Sequence, residues 1–317
     1  MNAKNIISAI LMVLSFTACT SEIEGIDDNM TNTNVSNGTT SISVRMMTEE
    51  VSTKGDTSSD ESAIKNYVIA VFEEESNQRV GYAFGSTTGG YEETPKTVTE
   101  IDAKAGNVTV IVVANVDDTS VFDNLYTYNG FTSMTVGSLN NLTKVGIKTN
   151  VTLSATNNSL DVTLKQLTAR VNVTLNAPEV TGGNNVTVNF KAYRYTASIA
   201  ETSMIVYTPQ TVETNTEVSL NNETSFSYIT YAVATPVLNV YAELEILVDG
   251  VVTKTIEKEI PVSFKSQNNV QLGALIAGKS YNQQVNTKIT ISQNVDVEFG
   301  YEIVSITDNG NQDITYN

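Results

Sequence analysis

Histidine is absent from this chain of 317 residues, and Cys19 is its only cysteine. Ser-His-Asp triads, Cys-His pairs and every histidine-containing metal site are therefore excluded, as are an intrachain disulfide and a cysteine metal cluster. Carboxylates are plentiful, with 35 Asp and Glu against 18 Lys and Arg. No two of them stand in a recognisable acid-and-nucleophile frame, so a carboxylate-dependent glycosidase is the weakest functional reading. Asp308-Asn309-Gly310-Asn311-Gln312-Asp313 offers oxygen ligands of the kind Ca²⁺ takes. It lacks the helices and the distal Glu of an EF-hand, and Asn-Gly makes a hairpin turn the better reading. The chain is expected to hold no metal or cofactor and to catalyse nothing. Chemistry done on the chain, not by it, has two candidate positions: the Cys19 thiol and the peptide bond after Lys54.

Lys4 precedes an apolar run, Ile6 to Phe16, broken only by Ser8 and Ser15 and followed by Thr17-Ala18-Cys19. A positive start, a short apolar stretch and small residues before a cut are the marks of a signal peptide, here residues 1–18. A permanent membrane helix is the plain alternative, but the run falls short of the ~20 apolar residues a span needs. Phe16-Thr17-Ala18-Cys19 resembles a lipobox, with Phe16 where Leu is more usual. That resemblance implies that Cys19 takes a diacylglycerol and becomes the new N-terminus. Thr20, in place of Asp, implies sorting to the outer membrane and the cell surface.

Residues 19–54 read as a lipidated pro-segment. Ser21 to Thr40 is polar and reads as a tether. Ile42, Val44 and Met46 then alternate with Ser41, Ser43 and Arg45, the period of a half-buried strand. A second polar stretch, Glu49 to Ser62, follows and contains Thr53-Lys54-Gly55-Asp56. One strand thus stands isolated between two soft segments, an odd arrangement for a strand whose only task is to be a permanent part of a core. Extended polar chain suits a protease, so Lys54-Gly55 is the candidate maturation site. Arg45, within a strand, and Arg79, whose cleavage would sever the first domain, are poorer candidates.

The rest of the chain is rich in Thr, Val, Asn, Ser and Tyr, which favour strands and turns. Strands are expected at Tyr67–Phe72, Val80–Phe84, Lys96–Ile101, Val108–Val116, Ile147–Leu153, Leu160–Leu164, Leu167–Leu175, Val186–Ala192, Asn239–Val248, Val251–Ile260, Tyr281–Ile291 and Val295–Val304, with a short tail strand at Asp313–Tyr316. Val108–Val116 is apolar on both faces and should be the central strand of its domain. Asp249-Gly250 at a strand junction signals a type I′ hairpin. Thr119 to Leu142 is the least strand-like region, and Ser120 is a candidate cap for a short helix over Val121–Tyr126. About fifteen strands with regular turns predict an all-β fold: two tandem β-sandwich domains of transthyretin-like, Greek-key type, at 55–165 and 166–317. The formal net charge of −17 argues against nucleic acid as a partner.

Fourteen Tyr and no Trp bear on sugar binding. Tyr193, Tyr195, Tyr228 and Tyr231 could form a stacking platform, although core packing explains them better. A lipid-anchored carbohydrate binder of a nutrient uptake system is therefore the alternative reading. The sequons at Asn107, Asn141, Asn172 and Asn185 follow from composition and carry no assigned function.

Several segments, in order, resemble the fimbrillins, subunits of type V pili. They are the lipobox Cys19; the basic residue and acidic patch Thr53-Lys54-Gly55-Asp56-Thr57-Ser58-Ser59-Asp60-Glu61-Ser62 before Tyr67–Phe72; Ala105-Gly106-Asn107-Val108 through Ala114-Asn115; Thr168-Ala169-Arg170-Val171; and Gly278-Lys279-Ser280-Tyr281 leading to Ile289. Lys54 stands where many members have Arg. The resemblance implies a cell-surface structural subunit of a fimbrium, supporting adhesion. It implies polymerisation with other pilus subunits by donor-strand exchange, with a maturation protease, outer-membrane lipid at Cys19 and a surface receptor as further partners. Val295, Val297, Phe299, Tyr301 and Ile303 alternate near the C-terminus, within a segment of about 294–317, and form the candidate donor strand. Ile42, Val44 and Met46 would occupy the acceptor groove before cleavage.

Overall fold

The computed structural model describes residues 38–48, 63–86, 96–156, 158–266, 270–291 and 297–306. Cys19, Lys54, Gly55 and Val295 lie outside the described residues, as do Asp308–Asp313 and the tail strand. Residues 36–317 form one compact unit.

The first half contains β1 (Thr39–Thr48), β2 (Asn66–Glu73), β3 (Arg79–Ser86), β4 (Lys96–Lys104), β5 (Gly106–Ala114), β6 (Thr135–Val136), β7 (Lys144–Leu153) and β8 (Asn158–Gln166). Seven of these make one sheet in the order β3-β2-β5-β7-β8-β1-β4. The sheet curls over a single core, to which Ile42, Val44, Met46, Ile69, Val71, Val110, Val112 and Val162 all contribute. Its two ends approach each other. A Cβ placed on Gly81 of β3 would lie 2.8 Å from the carbonyl oxygen of Asp102 in β4, so a side chain there would force the ends apart.

The apolar run through β5 has a physical reason. Val108, Val110 and Val112 face that core, while Ile111 and Val113 face a second one with Val68, Ala70 and Phe72 of β2. The second core is roofed by Phe122 and Phe131, whose rings lie 4.9 Å apart. These rings come from the segment that reads as non-strand. It holds a 3₁₀ turn at Thr119–Phe122 and a helix α1 at Tyr128–Thr132. The expected helix over Val121–Tyr126 with Ser120 as its cap is not found. Asp118 caps the 3₁₀ turn instead, because its carboxylate accepts both the Ser120 N–H and the Ser120 hydroxyl at 2.8 Å.

The second half contains β9 (Thr168–Leu175), β10 (Glu179–Thr181), β11 (Val186–Ala197), β12 (Ser203–Met204), β13 (Thr216–Glu223), β14 (Ser225–Tyr231), β15 (Val233–Ala234), β16 (Leu238–Val248), β17 (Val251–Pro261), β18 (Ala274–Leu275), β19 (Ser280–Ile291) and β20 (Val297–Ile306). β10, β19, β9 and β14 form one sheet, with β20 added on β19, and β13-β11-β16-β17 form another. Between them packs a core that includes Val171, Val173, Phe190, Val240, Leu244, Val285 and Ile289. The fold is all-β, as expected, with twenty strands among the described residues against the fifteen anticipated. At the β16–β17 junction Asp249 and Gly250 take φ of 52° and 80°, the pair of positive values a type I′ turn requires.

Candidate functional site

β1 is an interior strand. On one side it pairs with β8 in parallel, from Ile42↔Asn158 to Thr48↔Leu164. On the other it pairs antiparallel with β4, from Thr39↔Lys104 to Met46↔Lys96. Opposite Ser43 the β4 strand bulges, and Glu100 takes φ 58°. A bulge adds a residue and bends the strand, which suits β4 to wrapping β1. Ile42, Val44 and Met46 are at most 1% exposed. Each such burial stabilises by roughly 1.5–3 kcal/mol, so β1 is a full member of the core.

The ends of the groove differ. At the N-terminal end, Thr40 is buried, and its hydroxyl donates to the Ser154 carbonyl at 2.8 Å. The Asn158 amide nitrogen lies 2.9 Å from the Thr40 hydroxyl, the Ser41 carbonyl and the Ser154 carbonyl. At the other end β1 stops at Thr48, and the chain is next described at Ala63. Ala63–Asn66 is held independently of β1. Asn115 accepts the Lys65 N–H at 2.7 Å and donates to the Ala63 carbonyl at 2.9 Å. Asn66 and Val116 exchange two further bonds. Asn115, in the left-handed region at φ 59°, is the motif residue of Ala114-Asn115, and this clamp is what it does.

Lys144 opens β7 beside this clamp and is 2% exposed. Its Nζ donates to the Leu142 carbonyl at 3.3 Å. Burial, and secondarily the nearby Lys65 charge, push its pKa down to about 8. Nothing in the sequence singled out Lys144, because an isolated Lys in a strand reads as a surface residue.

β20 occupies a different position. It pairs antiparallel with β19 alone, from Val297↔Ile291 to Ile306↔Asn282, at the edge of its sheet. Ile303 is buried, Val297 and Phe299 pack against the core, and Tyr301 is 43% exposed. The neighbouring strand is partly polar on its core-facing side, since Gln283 and Thr287 of β19, the ladder partners of Ser305 and Tyr301, are buried. The Thr287 hydroxyl finds no hydrogen-bond partner.

The candidate sugar platform does not assemble. Tyr195, Tyr228 and Tyr231 are buried, and Tyr195 stacks on Phe226 at 4.6 Å inside the second half. Arg45 is exposed on β1, 3.9 Å from Asp161, and the Arg79 guanidinium donates to the Phe122 and Asp123 carbonyls. Among the described residues no acidic cluster could hold a metal ion.

The architecture defines a class: an all-β protein whose first described strand completes a sheet formed by later ones. A family model described as major fimbrial subunit protein (FimA) matches residues 38–221, beginning one residue before β1. That is more than half of the chain, and the chain belongs to this family. Its role is that of a structural subunit of a cell-surface fimbrium. The fold is similar to that of a putative cell adhesion protein from Parabacteroides distasonis (TM-score 0.60, 15% identity, covering 84% of this chain and 96% of that one). It is also similar to a fimbrilin (FimA) from Porphyromonas gingivalis (TM-score 0.53, 13% identity, 83% and 96%). A third is the tip fimbrial protein Mfa3 from Porphyromonas gingivalis with a C-terminal truncation (TM-score 0.52, 11% identity, 85% and 100%). At these identities the likeness concerns the fold. No curated protein matches the chain.

Proposed function

We propose that the chain is exported as a lipoprotein through Cys19 and is matured by cleavage between Lys54 and Gly55. It then polymerises by donor-strand exchange, acting as a structural and not a catalytic component. The observation that carries this reading is the place of β1: an interior strand, held on both sides, attached to the rest only through residues 49–62. Cutting that connection turns a covalent strand into a ligand. Ala63–Asn66 stays clamped to Asn115 and Val116 without it. Departure of β1 leaves two ladder edges and an apolar trough between β8 and β4, which a strand from another subunit can fill. β20, an edge strand held by one ladder and the last strand described, can leave without opening the chain on either side of another strand and serve as donor. The partners are then other subunits, a maturation protease, outer-membrane lipid and a surface receptor. Residues 55–165 and 166–317 act as two sandwich domains, one offering the groove and the other the donor.

The test is a chain lacking Val295–Asn317, compared with Lys54→Ala. The truncated chain should fold and reach the surface but form no fibre, and Lys54→Ala should retain β1 and stay monomeric. Normal fibres from the truncated chain would reject the donor, and a mature N-terminus other than Gly55 would reject the site.

A further inference from the structure

Thr40, Ile42, Val44 and Met46 all point into the groove at two-residue spacing, but the pocket at Thr40 differs from the others. It is polar, and the atoms that make it belong to Ser154, just after β7, and Asn158, which opens β8, not to β1. Asn158 is itself fixed, since its side-chain oxygen accepts the Ser154 N–H at 2.8 Å and the Ser154 hydroxyl at 3.2 Å. The pocket therefore stays with the subunit when β1 departs. The Asn158 amide then loses the Thr40 hydroxyl and the Ser41 carbonyl as acceptors. Ser154 is exposed and Asn158 half-buried, and the Asn158 amide keeps the Ser154 carbonyl, so an apolar side chain arriving there forfeits the hydroxyl contacts at about 0.5–1.5 kcal/mol, whereas a hydroxyl restores them. The other pockets took Ile, Val and Met and discriminate little among aliphatic residues, so they tolerate a slip of two residues. The polar pocket does not.

Phe299, Tyr301, Ile303 and Ser305 of β20 carry three apolar residues followed by a hydroxyl at the same spacing, in the reverse order of Thr40, Ile42, Val44 and Met46. Laid into the groove opposite to β1, this strand sets Ser305 at the Thr40 position, Ile303 at Ile42, Tyr301 at Val44 and Phe299 at Met46. Tyr301 is larger than Val44, so the middle of the groove has to widen. Laid along the β1 direction, with Phe299 at Ile42, the strand would put Val297 in the polar pocket.

We infer that Asn158 and Ser154 form a register stop, which selects a hydroxyl-bearing residue from the incoming strand of a second copy, and that Ser305 of that copy supplies it. The strand then runs antiparallel to β8. This rests on the proposal that β20 of one subunit enters the β1 groove of another.

Disulfide trapping in fibres of the processed chain, which lacks Cys19, reads the register directly. Asp102 is exposed and pairs with Ser41, so a cysteine at 102 reports what sits at position 41. Val304→Cys with Asp102→Cys should cross-link between subunits. Glu302→Cys should not, since it reports a two-residue slip, and Glu298→Cys should not, since it reports the β1 direction. Ser305→Val and Asn158→Leu should each slow assembly about tenfold, the size of one lost hydrogen bond, and should raise the slipped cross-link. Ser305→Thr should behave as the parent. The donor-side change leaves the groove intact, so misfolding of Asn158→Leu does not decide the outcome. An unchanged cross-link preference in Ser305→Val, or capture at position 298, would overturn the register stop while leaving strand exchange standing. Fibres that yield none of the three cross-links would sink the exchange reading itself.

Discussion

β1 and β20 are strands of equal length, each carrying apolar residues at two-residue spacing, yet the protein holds them differently. β1 has a ladder on both sides and an apolar bed. β20 has one ladder, Ile303 as the buried side chain among those described, and a neighbouring strand whose core-facing row includes Gln283 and Thr287. Similar sequence patterns thus give a strand integral to a core and a strand resting on an edge. The difference lies in what flanks them. It teaches that two strands with the same alternation can be held to very different degrees. β1 is the better held strand, so under the proposed mechanism it would leave only once its connection is cut, whereas β20 would have a single ladder to give up.

Charge in the two strands should break the comparison most visibly. Val44→Asp in the unprocessed chain places an unpaired carboxylate in a dry core and should cost more than about 4 kcal/mol. Phe299→Asp, on a half-exposed edge, should cost roughly 1–2 kcal/mol. Urea denaturation of both variants measures this, and equal losses would mean that β20 is as integral as β1.

Next in size is an effect of pH on the β1 side. Lys144, beside the Asn115 clamp, has a folded pKa near 8 against an ordinary value of 10.5. Between those values the unfolded chain holds a proton that the folded chain does not, so stability should rise as pH increases from about 8 to 10. The rise is bounded by about 3 kcal/mol. Below pH 8 both states are protonated and the slope vanishes. Above about pH 10 buried tyrosines such as Tyr281, pushed up to about 12 by desolvation, begin to oppose it. Lys144→Met should be more stable at neutral pH and should flatten the slope. A parent chain whose stability does not change from pH 8 to 10 would show that Lys144 titrates normally.

Much of this architecture is legible in the sequence where local chemistry decides. The alternation of Ile42, Val44 and Met46 marks a strand with one buried face, and Asp249-Gly250 marks the β16–β17 hairpin through the positive φ that both positions need. The strands β13 and β14 escape such reading. Thr216–Glu223 is an exposed, mostly polar edge, and in Ser225–Tyr231 the aromatic side chains do not alternate cleanly. What cannot be read at all is pairing across distance. The parallel match of Ile42 with Asn158 spans more than a hundred residues, and no local pattern announces it. The Thr40 pocket, the burial of Lys144 and the buried polar residues of β19 beside β20 are invisible for the same reason. Each depends on which strands become neighbours, and the residues involved look ordinary alone.

The smallest expected effect sharpens the comparison most, because it concerns β20 alone. The Thr287 hydroxyl is buried opposite Tyr301 without a hydrogen-bond partner. Such a group destabilises whatever packing buries it. Thr287→Val keeps the shape, removes the hydroxyl and should stabilise the seating of β20 by about 1 kcal/mol. Hydrogen exchange resolves this strand by strand. Amides of Val297–Ile306 should gain roughly fivefold protection, and those of Thr39–Thr48 should not change. If β20 must leave β19 to act as a donor, the same substitution should slow fibre growth by a similar factor, since the donor would start from a deeper well. Greater protection with unchanged growth would mean that departure of β20 does not limit assembly. Equal gains in β1 and β20 would mean that Thr287 stabilises the whole fold and that the edge strand is not a separate unit.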